Sequence, residues 1–388
     1  MEFDFLKSVK SEIFEEAQKQ HPDTLGKRTH FNTSEEDLPN LDGVNIAIFG
    51  VLENRQSVKN TDSRFDFDKL REEFYKLFAG NWDIQIADLG DIAPGDSVED
   101  TYYAVQKLNN YLINRKILPI MLGGSQDLVY AQYRAYDDFG RMVNFVNIDA
   151  CFDFGDTEQS INSKSYVGKM VVDRPYNLFN YANIGYQTYF NAQSEIDLID
   201  KLFFEAYRLG DIAGNLKLAE PVLRDADFVA IDVNSIASEN ILGSFASPNG
   251  FNNREICAIS RYAGISDKVS SFGIYHIENL DFSKNNFMLL SQILWYFIEG
   301  VNYRKNEQQV NSSKKSLITY KVPINDDILS FYKSELSGRW WVEIPFSDTV
   351  NNKLRKNTLL PCSYEDYLEA CNQNIPERWF KAKMKNEI

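Results

Sequence analysis

Carboxylate, amide and thiol side chains are concentrated in three short stretches of the sequence. The stretches are LGGSQDL at 122–128, NIDACFD at 147–153 and AIDVN at 230–234. In chain order, the candidate side chains are Gln126, Asp149, Cys151, Asp153, Asp232 and Asn234. Several carboxylates brought together are suited to hold divalent metal ions against the mutual repulsion of those ions. The alternative is that each carboxylate caps the loop that follows it by accepting backbone N–H groups.

Each of these stretches follows an apolar run that is typical of a buried strand. The predicted strands are 44–51, 83–89, 117–122, 143–148, 183–187, 228–233 and 271–277. The predicted helices are 65–78, 97–114, 131–139, 194–209, 254–263 and 287–301. This alternation predicts a parallel sheet covered by helices on both faces. Because ligands bind such sheets at the carboxyl ends of the strands, we expect the three stretches to converge there.

Composition excludes several classes of partner. The formal net charge is −15, from 41 basic and 56 acidic residues. Such a charge repels nucleic acids and anionic membranes, so we expect no nucleic-acid partner and no direct membrane insertion. The first 19 residues contain no basic segment followed by an apolar one, which indicates a cytoplasmic location. The four cysteines include no C-x-x-C pair, which favours reduced thiols.

The sequence pattern divides the chain into three parts. Residues 1–42 form an N-terminal extension, 43–303 an α/β domain, and 304–388 a polar linker with an α+β addition. Within the addition we predict a helix over 326–336, a strand over 339–344 and a capped helix that begins at Ser363. Aromatic side chains there form either a contact surface or packing onto the main domain. They are Trp340, Trp341, Trp379 and Phe380.

In this order and spacing, the three stretches, together with SPNGFNNRE at 247–255, resemble the ureohydrolase family of arginase, agmatinase and formimidoylglutamase. The resemblance covers roughly residues 44–300. It implies a three-layer α/β/α fold around a mostly parallel sheet of eight strands, to which this chain adds N- and C-terminal segments. It also implies hydrolysis of guanidino or formimino groups by two manganese ions that share a hydroxide.

This chain departs from the family pattern at half of the metal ligands. The family uses two His and four Asp. The carboxylates that match are Asp149, Asp153 and Asp232. Gln126 and Cys151 stand at the positions of the two imidazoles, and Asn234 stands at that of the fourth carboxylate. Because neutral amide oxygens are weak ligands, we expect no dimanganese centre.

The positions that handle substrate have changed as well. Ser247 stands where the family has the Glu that holds the guanidinium or formimino group. The segment 165–168, where the family places a catalytic His, contains none. Without a metal ion, at least one of the clustered carboxylates should have a raised pKa or a basic partner. Arg254 is the candidate for that partner.

His276 follows the last predicted strand of the α/β domain, where the family commonly has a Glu. In one interpretation it completes a site for a single metal ion. The donors of that site would be Asp149, Asp153, Asp232 and His276, and Cys151 as a thiolate would then favour Zn²⁺ or Fe²⁺ over Mn²⁺. In the other, His276 hydrogen-bonds a carboxylate and stabilises a pocket without metal, while Cys151 fills the space of the lost His.

These substitutions are compatible with three functions. The first is a catalytically inactive ureohydrolase-like protein that binds a protein partner, as an adaptor or occluding subunit of a larger assembly, without a cofactor. Docking to a membrane-associated assembly stays open, since a protein can bind such a complex without inserting. The second is a degenerate hydrolase of formimino or guanidino C–N bonds that uses a single Mn, Zn or Fe ion. The third is a small-molecule sensor that retains the pocket.

Overall fold

The computed structural model describes residues 3–33, 39–58, 65–243, 247–307, 317–324, 327–344 and 359–387. Its strands are β1 (Leu6–Lys7), β2 (Thr29–Phe31), β3 (Ile46–Val51), β4 (Ile86–Ile92), β5 (Leu118–Leu122), β6 (Val143–Ile148), β7 (Leu178–Tyr186), β8 (Glu205–Arg208), β9 (Phe228–Asp232), β10 (Ser271–Tyr275), β11 (Leu317–Ile324), β12 (Asp327–Ser334), β13 (Trp340–Glu343) and β14 (Leu359–Cys362). Its α-helices are α1 (Ser11–Lys19), α2 (Leu25–Arg28), α3 (Asp68–Phe74), α4 (Val98–Asn114), α5 (Leu128–Arg134), α6 (Tyr166–Val172), α7 (Gln193–Lys201), α8 (Leu209–Gly214), α9 (Ala219–Arg224), α10 (Asn253–Ile265), α11 (Lys284–Asn302), α12 (Tyr364–Cys371) and α13 (Glu377–Glu387).

Strands β1 to β10 form one sheet. Within the described residues its order is β1-β4-β3-β5-β10-β9-β6-β7-β8, with β2 beside β4. β1 runs antiparallel to β4, and the other pairings in this sheet are parallel. Buried apolar side chains form two clusters, as a sheet with helices on both faces requires. The predicted three-layer α/β/α fold with a mostly parallel sheet is confirmed.

The central strands form where the sequence is apolar without alternation. β6, β9 and β10 are buried along their whole length, as expected for strands covered on both faces. β6 has the predicted bounds, 143–148. The helix predicted to open at Ser97 is α4, and the Ser97 hydroxyl accepts from the Asp100 N–H in a capping box.

The helix predicted over 194–209 is confirmed only as far as Lys201. α7 ends at Lys201, and the chain then enters β8, which pairs with β7 at the edge of the sheet. Phe203 lies between the two elements with a φ of 54°, a left-handed conformation that cannot continue a helix. Backbone pairing with β7 therefore overrides the local helical pattern.

The helix predicted over 326–336 is wrong. Asp326 lies outside the described residues, and the segment that follows it is strand β12. Leu329 and Phe331 are buried on one face of the strand, and Ile328 is exposed. Tyr332 and Ser334 are buried as well, so the second half of β12 is covered on both faces. β12 pairs with β11 on one side and β13 on the other.

The C-terminal addition is an antiparallel sheet in the order β11-β12-β13-β14, accompanied by α12 and α13. The strand predicted over 339–344 is β13, and Ser363 caps α12 as expected. Trp340, Trp341 and Trp379 are buried, whereas Phe380 is half exposed. The three tryptophans are buried in apolar clusters of the addition itself. Trp341 also lies 4.7 Å from the Arg224 guanidinium of the α/β domain, so the expected packing onto the main domain is seen for Trp341.

Several basic side chains join the addition to the α/β domain, among them Arg224 and Arg378. Arg224, at the end of α9, donates to the carbonyl oxygens of Trp340 and Cys362, at 3.1 Å each. Arg378 of α13 pairs with Glu205 of β8 at 2.7 Å. β8 is the last strand of the main sheet, so the addition lies against an edge strand.

The structure also bears on the predictions about membrane insertion and about the cysteines. Among the residues described above, no helix combines the length and the apolar character needed to cross a bilayer. The four cysteines are free thiols, as predicted.

Candidate functional site

Four neighbouring strands, β5, β10, β9 and β6, bring the predicted side chains together at their carboxyl ends. The parallel register places Tyr275 beside Asp232 and Ile148 beside Ile231. Each strand end supplies one member of the cluster, and these are Gln126, His276, Asp232 and Asp149. Residues up to 150 positions apart thus meet at one edge, because parallel strands end on the same side of the sheet.

Asp149 is buried and accepts hydrogen bonds from three groups. Gln126 Nε2 and Asn147 Nδ2 donate to its Oδ2 at 2.7 and 3.1 Å. The Cys151 N–H donates to its Oδ1 at 2.9 Å. Burial, reinforced by repulsion from the two neighbouring carboxylates, raises the pKa of Asp149 well above its ordinary value. Gln126 therefore binds the carboxyl group of Asp149 directly.

Asp153 is paired with the ammonium group of Lys164. Asp153 has a left-handed backbone (φ 56°), and Lys164 Nζ lies 2.9 Å from its Oδ1. Burial acts to lower the pKa of Lys164, but Asp153 and then Asp149 outweigh it and raise that pKa well above its ordinary value. Asp153 Oδ2 is buried and has no hydrogen-bond partner among the described residues. Lys164 is the basic partner that the clustered carboxylates require.

Asp232 is paired with His276. His276 Nδ1 lies 3.1 Å from Asp232 Oδ1 and 3.1 Å from Asn234 Nδ2. The Asn234 N–H donates to the same carboxylate oxygen at 2.8 Å. Burial acts to lower the pKa of His276, but Asp232 raises it to about 9. Burial likewise acts to raise the pKa of Asp232, but His276 lowers it, so the two form an imidazolium–carboxylate pair.

His276 is held in place by the glycine pair that follows β5. Its backbone has a φ of 61°, and its N–H donates to the Gly124 carbonyl oxygen at 2.7 Å. A Cβ atom on Gly124 would lie 2.1 Å from the Glu53 carbonyl oxygen, so the position accepts only glycine. The two glycines therefore serve close backbone packing around the site.

The remaining predicted residues divide into two groups. Ser247 and Cys151 line the same pocket as the paired carboxylates. Arg254 does not, because it is exposed in the first turn of α10, where its N–H donates to the capping Asn252 side chain. The prediction that Arg254 is the basic partner of the carboxylates is wrong, and Lys164 takes that place.

Among the site residues that were not singled out from the sequence, Lys164, Tyr166 and Asn147 contact the predicted side chains directly. The Tyr166 hydroxyl accepts from Gln126 Nε2 at 3.0 Å and from Asn147 Nδ2 at 2.8 Å. Charge balance offered a signal for Lys164, which is one of two basic residues between Asp153 and the end of α6. No local signal marks Tyr166 or Asn147, since their contacts arise only between elements.

Asp149, Lys164, Asp232 and His276 line a pocket of about 180 Å³. Serine hydroxyls, amides, two cations and two carboxyl groups face it, together with the apolar side chains of Val58, Ala150 and Phe190. The polar lining includes Ser57, Ser163, Lys164, Asn234, Ser247 and His276. The pocket opens at the carboxyl edge of the sheet, where α/β proteins bind ligands.

This set of donors does not fit two manganese ions. Lys164 sets a positive charge against Asp153, His276 binds Asp232, and Gln126 donates to Asp149. A divalent cation beside these groups would be repelled by an ammonium and an imidazolium. In the part of the chain that the structure describes, no three His, Cys, Asp or Glu side chains are arranged to hold a metal ion.

Comparison with known proteins gives one family. The model of the arginase family matches residues 44–296. The solved structure of Trypanosoma cruzi formiminoglutamase with manganese is similar, with a TM-score of 0.60 and 16% identity, over 68% of this chain and 96% of that one. Formimidoylglutamase from Bacillus subtilis has a TM-score of 0.60 and 17% identity, over 67% of this chain and 87% of that one. Agmatine ureohydrolase of Thermoplasma volcanium has a TM-score of 0.55 and 18% identity, over 70% of this chain and 93% of that one. No curated protein matches the sequence.

Proposed function

Since the chain belongs to the arginase family, we propose that it is a catalytically inactive, metal-independent member that binds a protein partner within a larger assembly. One observation carries the proposal. Lys164 Nζ lies 2.9 Å from Asp153 Oδ1, so an ammonium group of the protein itself engages a carboxylate that the resemblance assigns to metal binding. Hydrolysis in this family depends on the metal ions, and a chain that cannot hold them lacks the group that activates water.

The other two carboxylates support the same conclusion. Asp232 is engaged by His276 at 3.1 Å, and Asp149 accepts from Gln126 at 2.7 Å. His276 and Gln126 thus provide partners for two buried acidic side chains, and burial of a carboxylate without a partner would cost free energy. The site is therefore stable as a set of internal pairs and has no need of a bound cation.

Exposed apolar side chains beside the pocket support binding of a protein. We define the pocket rim as Val58, Tyr189 and Phe190, which are 55%, 65% and 48% exposed. Val58 and Phe190 line the pocket, and the Tyr189 and Phe190 rings meet edge to face at 4.6 Å. Adjacent exposed aromatic and aliphatic side chains are typical of contact surfaces between proteins.

The metal content of the natively purified protein tests the first half of the proposal. We expect less than about a tenth of an equivalent of any transition metal by elemental mass spectrometry, because the ligands are already paired. We also expect no release of urea from guanidino substrates and none of formamide from formimino substrates, with or without added manganese. Stoichiometric metal together with turnover would refute the inactive state.

Affinity purification from the native cells tests the second half. We expect a stoichiometric protein partner that Tyr189→Asp removes, because a charge at the rim would be desolvated on binding. Tyr176→Asp is the matched control. Tyr176 is 57% exposed, but it precedes β7 and so lies at the amino ends of the strands, away from the pocket. Equal retention of the partner by both variants would rule out the rim as its contact surface.

One observation favours a second candidate, a hydrolase that uses a single metal ion. Asp153 Oδ2 is buried and lacks a hydrogen-bond partner among the described residues, so it offers an open acceptor for a cation. In that case the purified protein would contain close to one equivalent of metal, and Asp153→Asn would remove it. The nearby ammonium group of Lys164 opposes such a site.

A further inference from the structure

We propose that the pocket binds a small monocarboxylate, held by the ammonium group of Lys164 and by three serine hydroxyls. The inference rests on the proposed metal-independent site, since a metal ion beside Asp153 would displace Lys164. The proposed ligand is an anion, whereas the substrate group that the resemblance implies is a cation. The argument depends on hydrogen-bond donors, fixed charge and the size of the pocket.

Donors without acceptors are concentrated in this pocket. Lys164 Nζ carries three N–H groups, and within the described residues it donates only to Asp153. Ser57 and Ser163 are 4% and 2% exposed and line the pocket with Ser247. The Ser163 and Ser247 hydroxyl oxygens accept from the N–H groups of Val58 and Asn249, and no described residue accepts from either hydroxyl. A ligand rich in acceptor oxygens satisfies these donors.

The fixed charges select a monoanion. Lys164 and His276 provide two positive charges in the lining, and Asp153 and Asp232 provide two negative charges at 2.9 and 3.1 Å from them. Of these two carboxylates only Asp232 lines the pocket, together with the carboxyl group of Asp149. A phosphate dianion would meet strong repulsion from the two carboxylates, whereas a carboxylate spreads one negative charge over two acceptor oxygens. The ligand carboxylate can reach Lys164 from solvent, because the lysine side chain is 42% exposed.

The size and apolar wall of the pocket set the rest of the ligand. The pocket of about 180 Å³ is comparable with a cavity of ~150 Å³ that binds benzene. Val58, Ala150 and Phe190 supply an apolar wall next to the donors. A carboxylate attached to a ring or a short hydrocarbon chain, such as benzoate or butyrate, matches both features.

Titration calorimetry with benzoate and butyrate tests the proposal, with benzamide and butyramide as neutral analogues. We expect each acid to bind at least about tenfold more tightly than its amide, because only the acid pairs with Lys164. Inorganic phosphate should bind more weakly than benzoate. Failure of both acids to bind at about 10 mM, equal affinity for acid and amide, or tighter binding of phosphate would overturn the proposal.

Variants identify the residues. Lys164→Met should lower the affinity for benzoate at least about tenfold while leaving that for benzamide unchanged. Lys169→Met is the matched control, because Lys169 donates to the Thr157 carbonyl oxygen outside the pocket lining. If Lys164→Met does not fold, Ser247→Ala provides the second test, with an expected loss of about threefold to tenfold. Unchanged benzoate affinity in a folded variant of Lys164 would overturn the assignment.

The carboxylate belongs either to a free acid or to an acidic side chain of a polypeptide. Competition between benzoate and a capped Phe-Asp-Phe tripeptide distinguishes these sources, since the peptide also reaches the rim. Metal content measured on the same samples separates the two proposals. Metal-free protein that binds no acid contradicts only the ligand inference, whereas metal-loaded protein contradicts the proposed function itself.

Discussion

At the scale of single residues, the site is a set of carboxylates neutralised from within. The retained carboxylates meet an ammonium, an imidazolium and an amide, contributed by Lys164, His276 and Gln126. Buried carboxylates need a compensating charge, and this chain supplies it from its own side chains.

Lys164→Met should lower the free energy of unfolding by about 1–2 kcal/mol, because it leaves the buried Asp153 carboxylate without its ion pair. The estimate is below that for a fully buried pair since the lysine side chain is 42% exposed. Urea unfolding followed by circular dichroism measures the change. Lys169→Met should stay within about 0.5 kcal/mol of the wild type, and an equal loss in both variants would contradict the prediction.

A rebuilt metal site tests the charge argument directly. Gln126→His, Cys151→His and Asn234→Asp together with Lys164→Met should allow the protein to bind Mn²⁺, detected by calorimetry and by a rise in Tm with added metal. The same three substitutions with Lys164 retained are the control, and we expect at least about tenfold weaker binding. Equal binding with and without the lysine would show that Lys164 does not exclude the metal.

At the scale of elements, the site depends on the adjacency of β5, β10, β9 and β6, and the addition depends on the edge strand β8. Glu205 of β8 pairs with Arg378 of α13 at 2.7 Å, and its carboxylate also accepts from the Tyr207 hydroxyl at 2.6 Å. Burial acts to raise the pKa of Glu205, but Arg378 and Lys385 outweigh it and lower that pKa to about 2. A carboxylate with a depressed pKa stabilises the folded state at neutral pH.

This pair predicts a defined response to acid. The contribution of Glu205, about 3 kcal/mol, is present above its ordinary pKa of 4.5 and is lost as pH falls from there towards about 2. Glu205→Gln should therefore show a shallower loss of stability between about pH 4.5 and 2.5 than the wild type. Urea unfolding at a series of pH values measures the slope. Glu377→Gln, which changes an exposed side chain next to Arg378 in α13, should keep the wild-type slope.

At the scale of the whole molecule, hydrogen bonds and ion pairs connect the C-terminal addition to the α/β domain. Arg224 is one link, since it donates to carbonyl oxygens of β13 and β14 and lies 4.7 Å from the Trp341 ring. The addition contacts β8 through Glu205 and the end of α9 through Arg224, and neither of these two residues lines the pocket. A partner seated on the pocket rim therefore meets the α/β domain.

Arg224→Ala should destabilise the contact between the addition and the domain by about 3 kcal/mol, because two carbonyl oxygens lose a charged donor. Tryptophan fluorescence reports on it, since Trp340, Trp341 and Trp379 all lie in the addition. Arg261→Ala is the control, as its ion pair with Glu299 is partly exposed and contributes little. A smaller loss in Arg224→Ala than in the control would refute the role of Arg224 as a link.

The local sequence was sufficient for the central strands and for the helix caps. An apolar run such as 143–148 and a capping residue such as Ser97 act through neighbours in the chain. The order of the candidate stretches also indicated the α/β/α fold, and with it the edge of the sheet at which they meet. The predicted helices fail over 205–208 and 327–334, because strand pairing overrides the local pattern there.

The sequence by itself therefore determined the fold class and the strands that carry Gln126, Asp149, Asp232 and His276. Only the tertiary structure decided which basic group meets the clustered carboxylates, because it places Lys164 rather than Arg254 against Asp153. It also decided that the tryptophans of the addition are buried. The physical reason is range: hydrophobic period and capping act within a few residues, whereas ion pairs and burial depend on which distant elements the fold brings into contact.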